Sequence, residues 1–351
     1  DDLLAEKQAG NFGAMFIAVG AHISKRTEIP SRDAGKMLDA ISFLREVKTG
    51  NAPKLGRRVA IYGGGNTAMD TARVAKRLGY EPLIIYRRDR AHMPAHDFEA
   101  TEALEEDVKI HWLRTIKSID KTTFTVEIME VDTKGLPQPT GQFETLEADV
   151  LIMALGQDVD ISFMRQVPGV DFKDDGVVTV DERLMTDYPG LFAGGDMVPS
   201  DRTVTTGVGH GKKAARNIDA WLRGDTYVKP PKHTLATFDK LHVWYYTDAA
   251  QRPQCHLDLK DRQSSFEEVV AGLSQKEALY ESKRCLSCGN CYECDGCYGA
   301  CPEGAVIKLG SGNRYRYDYD LCTGCAVCFE QCPCHAIEMI PEPAETLERA
   351  G

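Results

Sequence analysis

The chain has 351 residues, enough for two or three domains. Hydrophobic residues make up 42% and charged residues 27%, the balance of a water-soluble globular protein. The net charge of −11 argues against nucleic acid or an anionic membrane as partner, and the longest apolar run, at residues 150–155, is too short to span a bilayer.

Taken in chain order, the sequence opens on DDLL without an initiator methionine, in what reads as the middle of a helix, and no signal peptide follows. Residues 12–19 (FGAMFIAV) predict a buried strand ending at Gly20-Ala21. Residues 57–62 predict a second strand, 66–78 a helix, 83–86 a third strand and 94–106 a helical, charged stretch. Alternating strands are expected over 109–131, then a Gly/Pro-rich turn at 135–141. Further strands are expected at 150–154, 177–180 and 191–193, and a helix from about 206 to 223. Residues 224–256, with Pro230, Pro231 and Pro253, read as a linker or contact surface, and 265–282 as a helix leading into the C-terminal module.

Between the second strand and its helix lies GGGNTA, residues 63–68, a G-x-G-x-x-A pattern through Gly63, Gly65 and Ala68. Strand before and helix after make this a dinucleotide-binding turn: Gly63 for the tight bend, Gly65 for close approach of the pyrophosphate, Ala68 for helix–strand packing. Gly64, Asn66 and Thr67 complete the loop, whose N–H groups and helix dipole favour phosphate. The alternative is a glycine-rich structural turn. The next strand ends in Arg87-Arg88 rather than the acidic residue that would hold a ribose 2′-hydroxyl, so NADP is favoured over NAD. The competing reading leaves these arginines solvated or paired with Asp89 or Glu81.

The C-terminal module repeats itself. Cys291, Cys294, Cys297, Cys301 and Cys322, Cys325, Cys328, Cys332 each read C-x2-C-x2-C-x3-C-P, offset by 31 residues, and the likeness runs on through PEGAV and PCHAI. A frame starting at Cys285 would need a cysteine where Asp295 stands, so Cys285 and Cys288 fall outside the repeat. In such a run three cysteines serve one [4Fe–4S] cluster and the fourth serves the other. Cys291, Cys294, Cys297 and Cys332 are therefore assigned to one cluster; Cys322, Cys325, Cys328 and Cys301 to the second. A zinc site would use two separated C-x2-C pairs. Oxygen-sensitive clusters place the chain in the cytoplasm rather than an oxidising compartment. Cys285 and Cys288 read either as half of an extra metal site, with Cys255, His256 or Cys334, or as structural thiols beside the first cluster. His92, His96 and His210 read as packing or solvated residues, since hydride transfer from a nicotinamide needs no protein base of its own.

The cysteine run closely resembles the bacterial two-cluster ferredoxin module. Residues 192–215, FAGGDMVPSDRTVTTGVGHGKKAA, resemble the second flavin motif of two-dinucleotide-domain flavoproteins. That resemblance implies that Asp196, after Gly195, holds a ribityl hydroxyl of FAD. It also implies a helix N-terminus at Thr206, Gly207 and Val208 that faces the flavin. Together with AVGAHISKRTEIP, GGGNTAMD and YRRDRAHMPA, these residues resemble the NADPH-handling small subunit of glutamate synthase and its relatives over about residues 10–225. Gly20 and Gly156 then match the two strands crossing between domains. The implied fold is α/β: an NAD(P) domain inserted in an FAD domain whose N-terminal part is missing, plus an α+β ferredoxin domain. The expected boundaries are 1–50 (FAD remnant), 51–156 (NAD(P)), 157–225 (FAD, second segment), 226–280 (linker and helix) and 281–351 (ferredoxin). The family's first G-x-G-x-x-G flavin motif is absent, and with the mid-helix start this leads to the expectation that the sequence is a piece of a larger subunit.

The resemblance implies an electron-transfer subunit moving electrons between NAD(P)H, FAD and two clusters. Its partner would be a catalytic subunit such as a 2-oxoacid or aryl-glyoxylate:acceptor oxidoreductase. Two other readings stand beside it: a wiring and docking subunit without bound FAD, and a reductase serving a glutamate-synthase-like amidotransferase.

Overall fold

The computed structural model describes residues 2–32, 36–230, 235–245 and 248–341. They form two compact units. The first comprises Asp1–Val228 and Leu257–Val269, the second Lys229–His256 and Val270–Gly351.

In the first unit, helix α1 (Asp2–Gln8) precedes strand β1 (Met15–Ile17), shorter than the apolar run around it. Two-residue strands β2 (Ile23–Ser24) and β3 (Ser31–Arg32) follow. Strand β4 (Lys36–Asp39) runs straight into α2 (Ala40–Lys48), capped by Asp39, whose carboxylate accepts the Ser42 N–H at 2.9 Å. Then come β5 (Arg58–Tyr62), α3 (Asn66–Arg77), β6 (Glu81–Tyr86), α4 (Asp97–Glu105) and β7 (Lys109–Trp112). Strands β8 (Arg114–Asp120), β9 (Thr123–Val131) and β10 (Pro137–Glu147) form an antiparallel meander, and β11 (Val150–Met153) returns to the first sheet.

That sheet has the order β4-β11-β5-β6-β7, with every neighbouring pair parallel. Its central strands VAIY and VLIM are buried on both faces, as a covered parallel sheet requires. Phe43, Met69, Ala72 and Ala100, from helices α2, α3 and α4, pack with Ile61, Ile84 and Ile152. Ala60, Ile85 and Leu151 pack instead with Ile116, Phe124 and Val126 of the meander. The sheet reaches back to Lys36, ahead of the boundary expected at residue 51.

The turn expected at 135–141 is a correction. Asp132 closes it earlier by accepting from Lys134 N at 2.8 Å and Leu136 N at 2.9 Å. Strand β10 starts at Pro137, and Gly141 falls in a register shift between Pro139 and Phe143.

Strand β12 (Gln157–Asp158) pairs antiparallel with β2, and β13 (Leu191–Ala193) pairs parallel with β1. Around them Ile161, Met164, Val178, Leu191 and Met197 form a third core. The strand expected at 177–180 is not formed. Val178 makes a single bridge to Phe172, while its N–H goes to Met197 O and the Thr179 N–H to Asp171 O. Helix α5 (Val204–Leu222) starts two residues before its expected position, because the Thr203 side chain caps it. Helix α6 (Leu259–Ser264) lies in the 257–269 excursion, where Arg262 bonds to Leu257 O at 2.7 Å and receives Arg77 on its own carbonyl at 3.0 Å.

The second unit begins in the stretch expected to be a linker. Its described part carries two 3₁₀ turns, Phe238–Lys240 and Val243–Tyr245, and the His242 N–H bonds to Pro333 O at 3.1 Å. Helix α7 (Gln275–Lys283) replaces the longer helix expected over 265–282. A capping box between Ser274 and Glu277 fixes its start. Beyond it lie α8 (Gly296–Ala300), the hairpin of β14 (Val306–Lys308) with β15 (Tyr315–Tyr317), and α9 (Val327–Glu330). Among the described residues no helix is long and apolar enough to cross a membrane.

Candidate nucleotide, flavin and cluster sites

The three glycines after β5 differ in what surrounds them. Gly63 has φ +147°, and a β-carbon there would lie 2.2 Å from Ala154 O. A β-carbon on Gly64 would lie 2.3 Å from the Tyr86 ring. Gly65 has φ −93°, and a β-carbon on it would meet nothing within 4 Å. The first two are glycines for packing; Gly65 is the one that opens onto free space. Gly65 is also the N-cap of α3, which has no side-chain cap, so the Asn66-Thr67 end of the helix offers its N–H groups outward. Ala68 is fully buried behind it.

Tyr86, which the sequence reading did not single out, organises this corner. Its ring packs on Gly64, its edge meets Trp112 at 6.3 Å between centroids, and its hydroxyl donates to His92 O at 2.9 Å. Residues 89–96 are laced to the glycine loop by Ala95 N to Gly64 O at 3.1 Å and His96 N to Asn66 Oδ1 at 3.0 Å. The available signal was an aromatic at the end of a strand beside three glycines. His92 and His96 are occupied locally, by Asp89 and by stacking on Phe98.

Arg87 and Arg88 sit at the end of β6 without an ion pair among the described residues. The Arg88 Nε is buried and has no acceptor among the described residues. Their competing partners are engaged elsewhere. Asp89 accepts from His92 N at 3.0 Å and lies 2.7 Å from His92 Nδ1, and the His92 side-chain bond holds its carboxyl below the usual range. Glu81 pairs with Arg57 and Arg58.

Gly20 (φ +72°) and Gly156 (φ +107°) precede the paired strands β2 and β12, and the Lys25 N–H donates to Gly156 O at 3.0 Å. Asp196 is half-buried in a 3₁₀ turn, Gly195–Met197, and its carboxylate has no partner among the described residues. A β-carbon on Gly194 would lie 2.9 Å from the Phe16 ring and 3.1 Å from His210 Cβ. The Gly195 N–H donates to His210 Nδ1 at 3.1 Å, which brings α5 beside the turn. His210 thus holds backbone. At the start of α5, Thr203 Oγ1 accepts the Thr206 N–H at 3.2 Å; Gly207 has open space around it and Val208 is exposed.

In the second unit, burial pushes the Cys297 thiol up to about 11, helped by the nearby Cys291, Cys294 and Cys332 sulfurs. These four converge. Burial also raises Cys328, with Cys322 and Cys325 adding to it. Cys301 shows no such coupling among its strongest influences. Burial raises its thiol, but surrounding backbone N–H groups, led by Ala305, outweigh this and lower it. The repeat is visible in the backbone: Asp295 and Ala326 cap α8 and α9 in the same left-handed conformation, φ +65° and +61°. Among the described residues no three His, Cys, Asp or Glu side chains are close enough to share one metal ion. A [4Fe–4S] cube takes one thiolate per iron, so its ligands stand farther apart than those of a single ion. Cys285 is exposed and Cys288 half-buried, and their loop is tied to Cys334 by the Gly289 N–H on Cys334 O at 2.6 Å.

The profile of the pyridine nucleotide-disulphide oxidoreductase family matches residues 3–216. The chain belongs to this family. Residues 315–338, which hold the second cysteine run, match a 4Fe-4S binding domain. The chain is 33% identical over 312 residues to the NADP(+)-dependent formate dehydrogenase subunit beta of Moorella thermoacetica, covering 82% of this chain and 44% of that protein. It is 30% identical over 250 residues to the glutamate synthase [NADPH] small chain of Escherichia coli, covering 63% and 52%. The chain spans about half the length of the curated relatives it matches. FprA from Mycobacterium tuberculosis, solved in complex with NADPH, superposes with a TM-score of 0.51 at 17% identity, over 65% of this chain and 68% of that one. That likeness speaks for the fold. The resemblance read from the motifs therefore stands. As a member of this family with a 4Fe-4S module, the oxidoreductase takes FAD, NAD(P) and [4Fe–4S] clusters as cofactors. Features of the structure fit them: the open face at Gly65, the orphaned Arg88 Nε, the unpartnered Asp196 carboxylate and the converging thiols.

Proposed function

We propose that the chain is the electron-transfer subunit of a larger oxidoreductase, carrying electrons between NAD(P)H, FAD and two [4Fe–4S] clusters. The flavin supplies the change from hydride to single electrons. The observation that carries this reading is the presence, in one chain, of an uncapped helix start behind an open glycine and of converging cysteine sulfurs.

Gly63, Gly64 and Gly65 with Asn66, Thr67 and Ala68 form the phosphate cradle. Arg87 and Arg88 bind the 2′-phosphate and so select NADP, a reading supported by the lack of an ion pair to either among the described residues and by the Arg88 Nε without an acceptor there. Asp196 holds the flavin ribityl chain, and the α5 start at Thr206, Gly207 and Val208 faces the flavin ring; Gly20 and Gly156 shape the crossing strands beneath. Cys291, Cys294, Cys297 and Cys332 ligate one cluster, and Cys322, Cys325, Cys328 and Cys301 the other. Domain boundaries follow the cofactors, with the nucleotide sheet extended back to Lys36. The partner is a catalytic subunit of the 2-oxoacid:acceptor oxidoreductase class, an assignment supported by the fused two-cluster module and testable by the subunits that co-purify.

The reading is tested by anaerobic titration of the full-length subunit with NADPH and, separately, NADH. Flavin bleaching with a reduced-cluster EPR signal, at lower concentrations of NADPH than of NADH, is expected. Clusters present but unreduced by either nucleotide would leave a wiring subunit instead.

A further inference from the structure

The internal repeat lets each half serve as the control for the other. Cys301 and Cys332 hold equivalent positions in the repeat, and each sulfur accepts the backbone N–H four residues on: Ala305 at 3.3 Å and Ala336 at 3.2 Å. Two residues past each cysteine the equivalence breaks, with exposed Glu303 in one half and Cys334, 2% exposed, in the other. The Cys334 sulfur lies 3.9 Å from that of Cys332. Its backbone is pinned by the Gly289 N–H on its carbonyl at 2.6 Å, and its sulfur stands 3.2 Å from Asn290 O.

The thiol has one proton and two acceptors in reach, Asn290 O and the Cys332 sulfur. Once Cys332 is a ligating thiolate it is the charged acceptor, and charge-assisted bonds are the stronger ones. Glu303, a carboxylate that only accepts, cannot do the same for Cys301.

We propose that the Cys334 thiol donates a hydrogen bond to the Cys332 sulfur and raises the reduction potential of its cluster, through a side-chain donor that the twin position, Glu303, lacks. The reason is electrostatic: a hydrogen bond to a ligating sulfur offsets negative charge, and the reduced cluster carries more of it. The proposal rests on Cys332 being a ligand of the cluster held by Cys291, Cys294 and Cys297.

The test uses the full-length subunit, purified anaerobically, with Cys334→Ala and Cys334→Ser, iron analysis and an EPR-monitored redox titration. Cys334→Ala should keep the full iron content and make one cluster about tenfold harder to reduce at fixed potential, which is 59 mV for one electron, with the other cluster unmoved. Cys334→Ser, which keeps a donor, should leave that potential near the wild-type value. Unchanged or raised potentials in Cys334→Ala would overturn the proposal. Loss of half the iron in Cys334→Ala, with full iron in Cys332→Ala, would overturn the ligand assignment as well, by making Cys334 the ligand.

Discussion

Replacing Gly65 by alanine should separate binding from folding, because its two neighbouring glycines serve packing and it does not. At φ −93° alanine is unstrained, and its methyl would meet no protein atom within 4 Å. The folding penalty is then the poorer N-cap alone, about 1 kcal/mol. The methyl would stand in front of the uncapped end of α3, where the pyrophosphate has to approach. Losing one charge-assisted bond there costs about 1.5–3 kcal/mol, a rise in the NADPH Kd of about 10- to 150-fold. Gly63→Ala behaves in the opposite way. With φ +147° and Ala154 O only 2.2 Å from the new carbon, backbone must shift, at about 1–3 kcal/mol each for strain and overpacking. The assay pairs denaturant unfolding of the two variants with NADPH binding followed by flavin quenching. A Gly65→Ala protein that binds NADPH as tightly as wild type, or unfolds as readily as Gly63→Ala, would refute the assignment of that open face to phosphate.

Replacing Arg87 and Arg88 together by alanine should raise the KM for NADPH by about 100-fold or more while leaving NADH nearly unchanged, at about 1.5–3 kcal/mol per lost charged bond; equal losses for both nucleotides would count against 2′-phosphate recognition. Cys297→Ser should remove one cluster, halving the iron content and one set of EPR signals; full iron would move the ligand elsewhere. Glu106 is fully buried with its carboxylate on Arg73, 2.9 Å to Nε, and Glu102 shares the same guanidinium at 2.8 Å. Glu106→Ala strands part of a buried charge and should lower stability by about 3 kcal/mol, measured by denaturant unfolding; a loss below about 1 kcal/mol would show that Glu102 alone satisfies the arginine. The side-chain hydrogen bond from Arg114 holds the Glu144 carboxyl below its usual range. A depressed carboxylate contributes stability above its unfolded pKa and loses it as pH falls through the folded value, so Arg114→Met should flatten the acid limb of the stability profile. An unaltered acid limb would place that pH dependence elsewhere.

Local chemistry explains which parts of this molecule could be read in advance. The strand–glycine–helix unit around Gly63 and Gly65 announces itself because only glycine tolerates what surrounds Gly63. The cysteine runs do so because their repeat is offset uniformly. Other elements depend on partners distant in sequence. Strand β4, KMLD, is only half-buried at a sheet edge and carries no alternation; its pairing with β11 makes it a strand. Val177 and Val178 look like strand and are buried, but the Val178 N–H goes to Met197 O and the Thr179 N–H to Asp171 O, bonds that form no ladder. The helix expected from residue 265 loses its first turns to the Ser274 capping box and to bonds such as Ala271 N to Cys255 O. Tyr86 escapes notice, and Cys334 reads only as a partner for an extra metal site, for a related reason: each acts on a backbone group or sulfur that sequence spacing alone does not bring near.

The most direct test of electron passage from nicotinamide to flavin to clusters is anaerobic stopped-flow mixing of the full-length protein with NADPH, with freeze-quenched EPR samples taken along the same time course. Flavin absorbance should fall first, and the reduced-cluster signals should rise afterwards at a rate independent of NADPH concentration. Cluster signals that appear without prior flavin bleaching, or bleaching that never reaches the clusters, would contradict it.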